Sequence, residues 1–136
     1  MRNTFDIETI IYQELNVSAI TNVISGKVYK NSRPLNSNKV DVVVGSLPIN
    51  AEQLQRTVVN VNVHAPNLKL SINGIQDNTQ PDVATLKTIT ALVISALTDK
   101  AFTDYYFDVQ QQVLFKDETS DEHYSNIRIN FLSENL

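Results

Sequence analysis

Apolar positions recur at helical spacing near the start of the chain, where Ile7, Ile10, Ile11 and Leu15 form one stripe. Thr4 is a suitable N-cap for that helix, and Asp6 and Glu8 fall where its positive end favours carboxylates. Asn16 and Ser18 interrupt the stripe. Ile20, Val23 and Ile24 continue it in a shorter helical turn that Gly26 brings to a stop. The rhythm then changes to period two. A brief strand is expected over residues 27–30, and a turn-forming loop with Pro34 over residues 31–38. Val40, Val42 and Val44 alternate over residues 39–46. Val59, Val61 and Val63 alternate with Asn60, Asn62 and His64 over residues 55–64, which gives a strand with one apolar and one polar face.

Residues 65–80 contain Pro66, Asn67, Asn73, Gly74, Asp77 and Asn78, and read as an irregular excursion with residues 68–70 extended. Pro81 then suits the first position of a helix, with Asp82 in its first turn. On that helix Leu86, Ile89, Val93, Ala96 and Leu97 make the clearest apolar stripe in the chain. The last segment reads as a hairpin. Phe107, Val109, Val113 and Phe115 alternate on one strand, residues 116–122 make a solvated charged turn, and Ile127, Ile129 and Phe131 alternate on the return. The expected fold is α+β, a single domain over residues 1–136. Its mostly antiparallel sheet of about five strands carries two main helices on one face. Leu86, Ile89 and Val93 should pack on Val59, Val61, Ile127 and Ile129.

Composition narrows the class. A chain of 136 residues with 42% apolar residues, 3 glycines and 4 prolines is foldable as one core and lies outside the disordered and low-complexity classes. It has no cysteine, so disulfides, thiolate metal sites and thiol nucleophiles are excluded. The N-terminal stretch has no uninterrupted apolar run, and no later run approaches a membrane span, so neither a signal peptide nor membrane insertion is expected. A formal charge of −4 without a cluster of Lys and Arg gives no footprint for a phosphate backbone, and direct nucleic-acid binding is not expected.

Candidate chemistry is sparse. His123 beside Asp121 and Glu118 could be read as an acid–base or metal site, but a polar hairpin tip lacks the rigid support that such a site needs, so a solvated turn is the expectation. Gly26, Gly45 and Gly74 are too far apart for one phosphate cradle, and no serine is flanked as in a nucleophile elbow. No catalytic residue, cofactor or metal is expected. Tyr105, Tyr106 and Phe107 read as strand and core packing because no basic residues interleave with them. Asn60, Asn62 and His64 form either an ordinary exposed strand face or part of a contact surface. Leu92 stands off the apolar stripe of its helix, either as a lone exposed leucine or as an interface residue.

The order of these elements is itself informative. A leading helix runs into Ile24-Ser25-Gly26-Lys27-Val28-Tyr29 and a Pro34 loop. Valine strands, a helix over residues 81–97 and a closing hairpin follow. This arrangement resembles the tail-completion, or tail-terminator, proteins of tailed bacteriophages and prophages. The resemblance implies a non-catalytic structural protein that caps the tail tube and contributes to head–tail joining. It would work as a homo-oligomeric ring, a hexamer by family, in contact with the tail-tube protein and a neck or connector protein. It would be found in the host cytoplasm during assembly and then in the virion tail. Residues Asn67, Leu68, Asn73 and Asp77 of the excursion, together with Asn60, Asn62, His64 and Leu92, are the expected contact residues. The excursion is longer than the family pattern. The alternative is a monomeric accessory or ligand-binding domain without catalysis, for which the sequence offers no pocket signature.

Overall fold

The computed structural model describes residues 1–135. Its longest strands are β3 (Leu54–Pro66) and β8 (Glu122–Glu134), which pair antiparallel from Leu54 opposite Glu134 to Pro66 opposite Glu122. Alternation on both strands sends Val59, Val61, Val63, Ile127, Ile129 and Phe131 to one face, where all are fully buried. On one side of this pair, β2 (Asp41–Ser46) runs antiparallel to β3, and β1 (Val28–Lys30) runs parallel to β2. On the other side β7 (Tyr105–Lys116) runs antiparallel to β8, and the two-residue β6 (Lys100–Ala101) covers only Tyr106 and Phe107 of β7. A separate two-stranded arm is formed by β4 (Leu70–Ile72) and β5 (Ile75–Asp77).

Three helices complete the fold: α1 (Thr4–Leu15), the single turn α2 (Ser18–Thr21) and α3 (Val83–Leu97). Asn3 caps α1 in a reciprocal box with Asp6, so Thr4 is the first residue inside the helix rather than its cap. Asp82 caps α3 by accepting from the Thr85 amide, which leaves Pro81 just outside rather than at the first helical position. The α3 stripe Leu86, Ile89, Val93 and Leu97 is buried in the same cluster as the inward residues of β3 and β8, as its spacing predicts. Ile7, Ile11 and Leu15 of α1 join that core over β1 and β2. Phe107 is buried there too and stacks on Phe131 with ring centroids 5.8 Å apart.

The sheet expectation needs correction. It is a mixed sheet of six strands in the order β1-β2-β3-β8-β7-β6, with a second small sheet and three helices, not five mostly antiparallel strands with two helices. A two-residue strand such as β6 leaves no periodic trace. The parallel β1–β2 pair is hidden because residues 31–40 connect it without a helix. In β7 a bulge between Val109 and Gln111 shifts the alternation, so Phe107 and Val109 face the helices whereas Val113 and Phe115 lie opposite Asn126 and Tyr124 on the outer face. The excursion is ordered as well: residues 65–66 finish β3 and residues 70–77 form the arm. Gly26 lies beyond α2, and its role is close approach. A Cβ there would collide with the Asp41 carboxylate and come within 2.8 Å of the Val40 carbonyl oxygen.

Two substitutions test this packing. Ile89→Asp puts an unpaired carboxylate among Val, Ile and Phe side chains, and should lower stability by at least about 4 kcal/mol, read as loss of a cooperative thermal transition. Gly26→Ala should cost about 1–3 kcal/mol through displacement of Asp41, read as a lower midpoint in urea without a change in slope.

Candidate interaction surface

The face of the sheet turned away from the helices is built from the even-numbered residues of β3 and β8. Asn60 lies opposite Arg128, Asn62 opposite Asn126 and His64 opposite Tyr124. The Asn126 amide donates to both Asn62 Oδ1 (2.7 Å) and Asn60 Oδ1 (3.2 Å), so the two predicted asparagines are tied to each other through a neighbour that the sequence did not single out. The His64 ring packs against Tyr124 at 5.2 Å, and Tyr124 against Phe115 at 5.4 Å. Toward the other end, Arg56, Val58, Tyr106, Asp108, Asn130 and Leu132 border an open depression of ≈ 680 Å³.

His64 leads into a buried ionic cluster. Arg33, from the crossover loop, reaches Asp41 at 3.3 Å and forms an ion pair with Glu122, while His64 Nδ1 lies 2.9 Å from the same Glu122 carboxylate. Asp41 also accepts from Ser37 Oγ (2.5 Å) and from the Lys27 amide (3.1 Å). Glu122 and Asp41 are almost wholly buried, and the guanidinium supplies the charge that makes this tolerable. Burial holds the His64 pKa below its ordinary value, and the positive Arg33 adds to that; the hydrogen bond and charge of Glu122 pull the other way without prevailing.

The hairpin end departs from expectation. Glu122 and His123 belong to β8 and are buried, so the solvated turn is limited to residues 117–121. His123 is not part of an acid–base pair with Asp121 or Glu118. Its Nδ1 lies 2.6 Å from Asn67 Oδ1, and the Asn67 amide group donates to the Asn78 carbonyl at 2.9 Å. Alternation carried back from Ile127 through Ser125 reaches His123, and that signal could have placed it inward.

Asn67 and His123 therefore anchor the base of the β4–β5 arm. The Asn67 amide N–H also bonds Asp121 O, and that of Leu68 bonds Gln80 O. Asn73 and Gly74 form the tip, both at positive φ (53° and 75°), as a two-residue hairpin turn requires. Asp77 closes the arm by accepting from the Thr79 amide (2.9 Å) and hydroxyl (2.6 Å), bonds that hold its carboxyl below the usual range. Leu92 is half-buried, and its buried part packs against the core. Asn60, Asn62 and His64 share one face, and Asn67, Leu68, Asn73 and Asp77 share the arm and its base. Among the described residues no group of three His, Cys, Asp or Glu side chains could hold a metal ion, and no helix is long and apolar enough to cross a membrane.

The sequence matches no family model and no curated protein. The fold, however, is similar to that of a chain in a solved structure described as the virion of the native gene transfer agent (GTA) particle. The TM-score is 0.60 at 14% identity, over 92% of this chain and 92% of that one.

The ionic cluster makes a pH prediction. His64 has a folded pKa below the unfolded value of about 6.5, so the unfolded chain takes up the proton first. The stability this group contributes is present above that pH and is lost as pH falls toward its folded pKa. Thermal midpoints should therefore drop between about pH 7 and pH 5, and His64→Gln should flatten that part of the profile. An unchanged slope in the variant would assign the acid sensitivity to other groups.

Proposed function

We propose that this chain is a structural protein of a phage-type virion, which sits on the head-proximal end of a tail tube, caps it and presents a joining surface to the neck. The observation that carries the reading is the shared fold with a chain of a virion particle, which extends over nearly the whole of both chains rather than over a common substructure. It agrees with the order of elements that resembles tail-completion proteins. The surfaces are also of the kind that assembly uses: a polar sheet face fixed by side-chain amides, a projecting arm, and buried ionic groups spent on holding loops in place. In this reading several copies close into a ring, six by family resemblance, and the tail-tube and neck proteins are its neighbours.

A cap stops polymerisation, so its absence has a visible consequence. Inactivating this reading frame in the element that carries it, inducing particle formation and viewing the lysate by negative-stain electron microscopy should show separate heads and tails of irregular length. Complementation in trans should restore joined particles. Normal, joined particles without the chain would overturn the proposal.

A further inference from the structure

The arm is amphipathic. Leu70 pairs with Asp77 and Ile72 with Ile75, so Leu70, Ile72, Ile75 and Asp77 share one face of the ribbon, whereas Ser71 and Gln76 occupy the other. Ile72 and Ile75 are 59% and 71% exposed. A two-stranded ribbon with its apolar face in water is marginal by itself, which makes its anchoring at Asn67 and His123 unexpected unless something covers that face.

A matching surface lies elsewhere on the chain. Between α3 and the outer half of β7 runs a groove of ≈ 340 Å³ with walls of Val83, Ala91, Ile94 and Leu114. Val83 and Leu114 are exposed, at 58% and 46%. Its polar floor is already satisfied, because Thr90 Oγ1 and Gln112 Nε2 both donate to Ser125 Oγ. The groove has the volume of about eleven waters at roughly 30 Å³ each, and two isoleucine side chains bring eight carbons. Its one charged lining residue is Lys87, and the one charge on the apolar face of the arm is Asp77. Beside the groove, β7 has no partner on its free side beyond Phe107, and so offers unpaired backbone groups to an incoming strand.

We infer that the β4–β5 arm of one copy seats Ile72 and Ile75 in the α3–β7 groove of a second copy, with Asp77 beside Lys87 and a strand of the arm along the free edge of β7. Within one chain the isoleucines stay exposed while the groove stays open, so a chain does not fill its own groove. The occupant and the site are different surfaces, which makes the contact heterologous and repeatable from copy to copy. The inference deepens the capping proposal by naming its subunit contact, but its test needs no tail.

The chain has no cysteine, so introduced thiols report only the intended pair. Ile75→Cys and Leu114→Cys chains, mixed in equal amounts and oxidised, should give a disulfide-linked heterodimer well above the self-linked product of either chain alone. Ile72→Asp, Ile75→Asp and Leu114→Asp alter exposed positions, so they should keep the thermal midpoint while weakening self-association in sedimentation by at least about tenfold. An intact protein that stays monomeric up to about 1 mM would overturn the inference. So would Leu114→Cys chains linking mainly to one another, which would mean that β7 edges pair symmetrically. Arm-to-groove linkage in a chain that particles do not need would leave this contact standing and remove the capping role; a monomeric chain that particles do need would do the reverse.

Discussion

Thirteen residues of β3 lie opposite thirteen of β8, and the register of that one ladder decides which side chains meet everywhere else. With Val61 opposite Ile127, the valines and isoleucines form a continuous inner face that α3 can cover, and the asparagines are left on the outer face with Asn126 bridging them. A slip of one residue would put Asn60, Asn62 and Arg128 against α3 and expose the whole apolar set, so this register is strongly specified by burial. The same ladder brings Pro66 beside Glu122. The last turn of the pairing therefore assembles the ionic cluster and the root of the arm at one end of the sheet.

That cluster solves a problem of topology. A parallel strand needs a crossover connection, and such connections usually contain a helix whose apolar face fastens them to the sheet. Residues 31–40 have no helix between β1 and β2; Leu35 is 91% exposed, and only Val40, next to β2, packs against the core. Hydrophobic burial cannot hold the body of this loop. Arg33 does so instead, by reaching Asp41 and Glu122, while Ser37 donates to the same Asp41 oxygen as Arg33 and the Lys27 amide donates to the other. The arrangement leaves no room beside Asp41 for a side chain at position 26, which explains a glycine there better than helix termination does.

Legibility in the sequence followed length and burial. The α3 stripe, the alternation in β3 and the inward residues of β8 were readable because long elements against one core repeat their period many times. The failures lie where a single local feature overrides a pattern. One extra residue at the β7 bulge moves Val113 and Phe115 to the outer face, although in the sequence they keep the odd-numbered phase of Phe107 and Val109. Glu122 and His123 look like part of a charged turn until their partners Arg33 and Asn67, distant in sequence, are known. The Asn73-Gly74 pair between short apolar strands is a strong hairpin signal, yet the surrounding Asn, Asp and Pro residues masked it as loop. Of the expected contact residues, the arm and strand sets hold together in space, whereas Leu92 stands apart from both on α3.

The edges of the sheet differ in a way that bears on how copies could meet. Natural sheets blunt their edges with short strands and charges. β1 is three residues long and ends in Lys30, and β6 is two residues long, so neither presents a template of any length. β7 is the exception: beyond Phe107 its free side stays unpaired through nine residues, over which Val113, Leu114 and Phe115 are partly exposed. An edge of that kind invites pairing of like with like, which would stop at two copies because the remaining edges are too short to continue it. Association through a different surface avoids it, because an arm that lies along the β7 edge of its neighbour covers the template and leaves a fresh arm facing the same way around. Whether such a series closes or grows depends only on the rotation between successive copies. Under the proposed capping role a tail tube would set that rotation, so a weak contact in solution would be compatible with a closed ring on a tail.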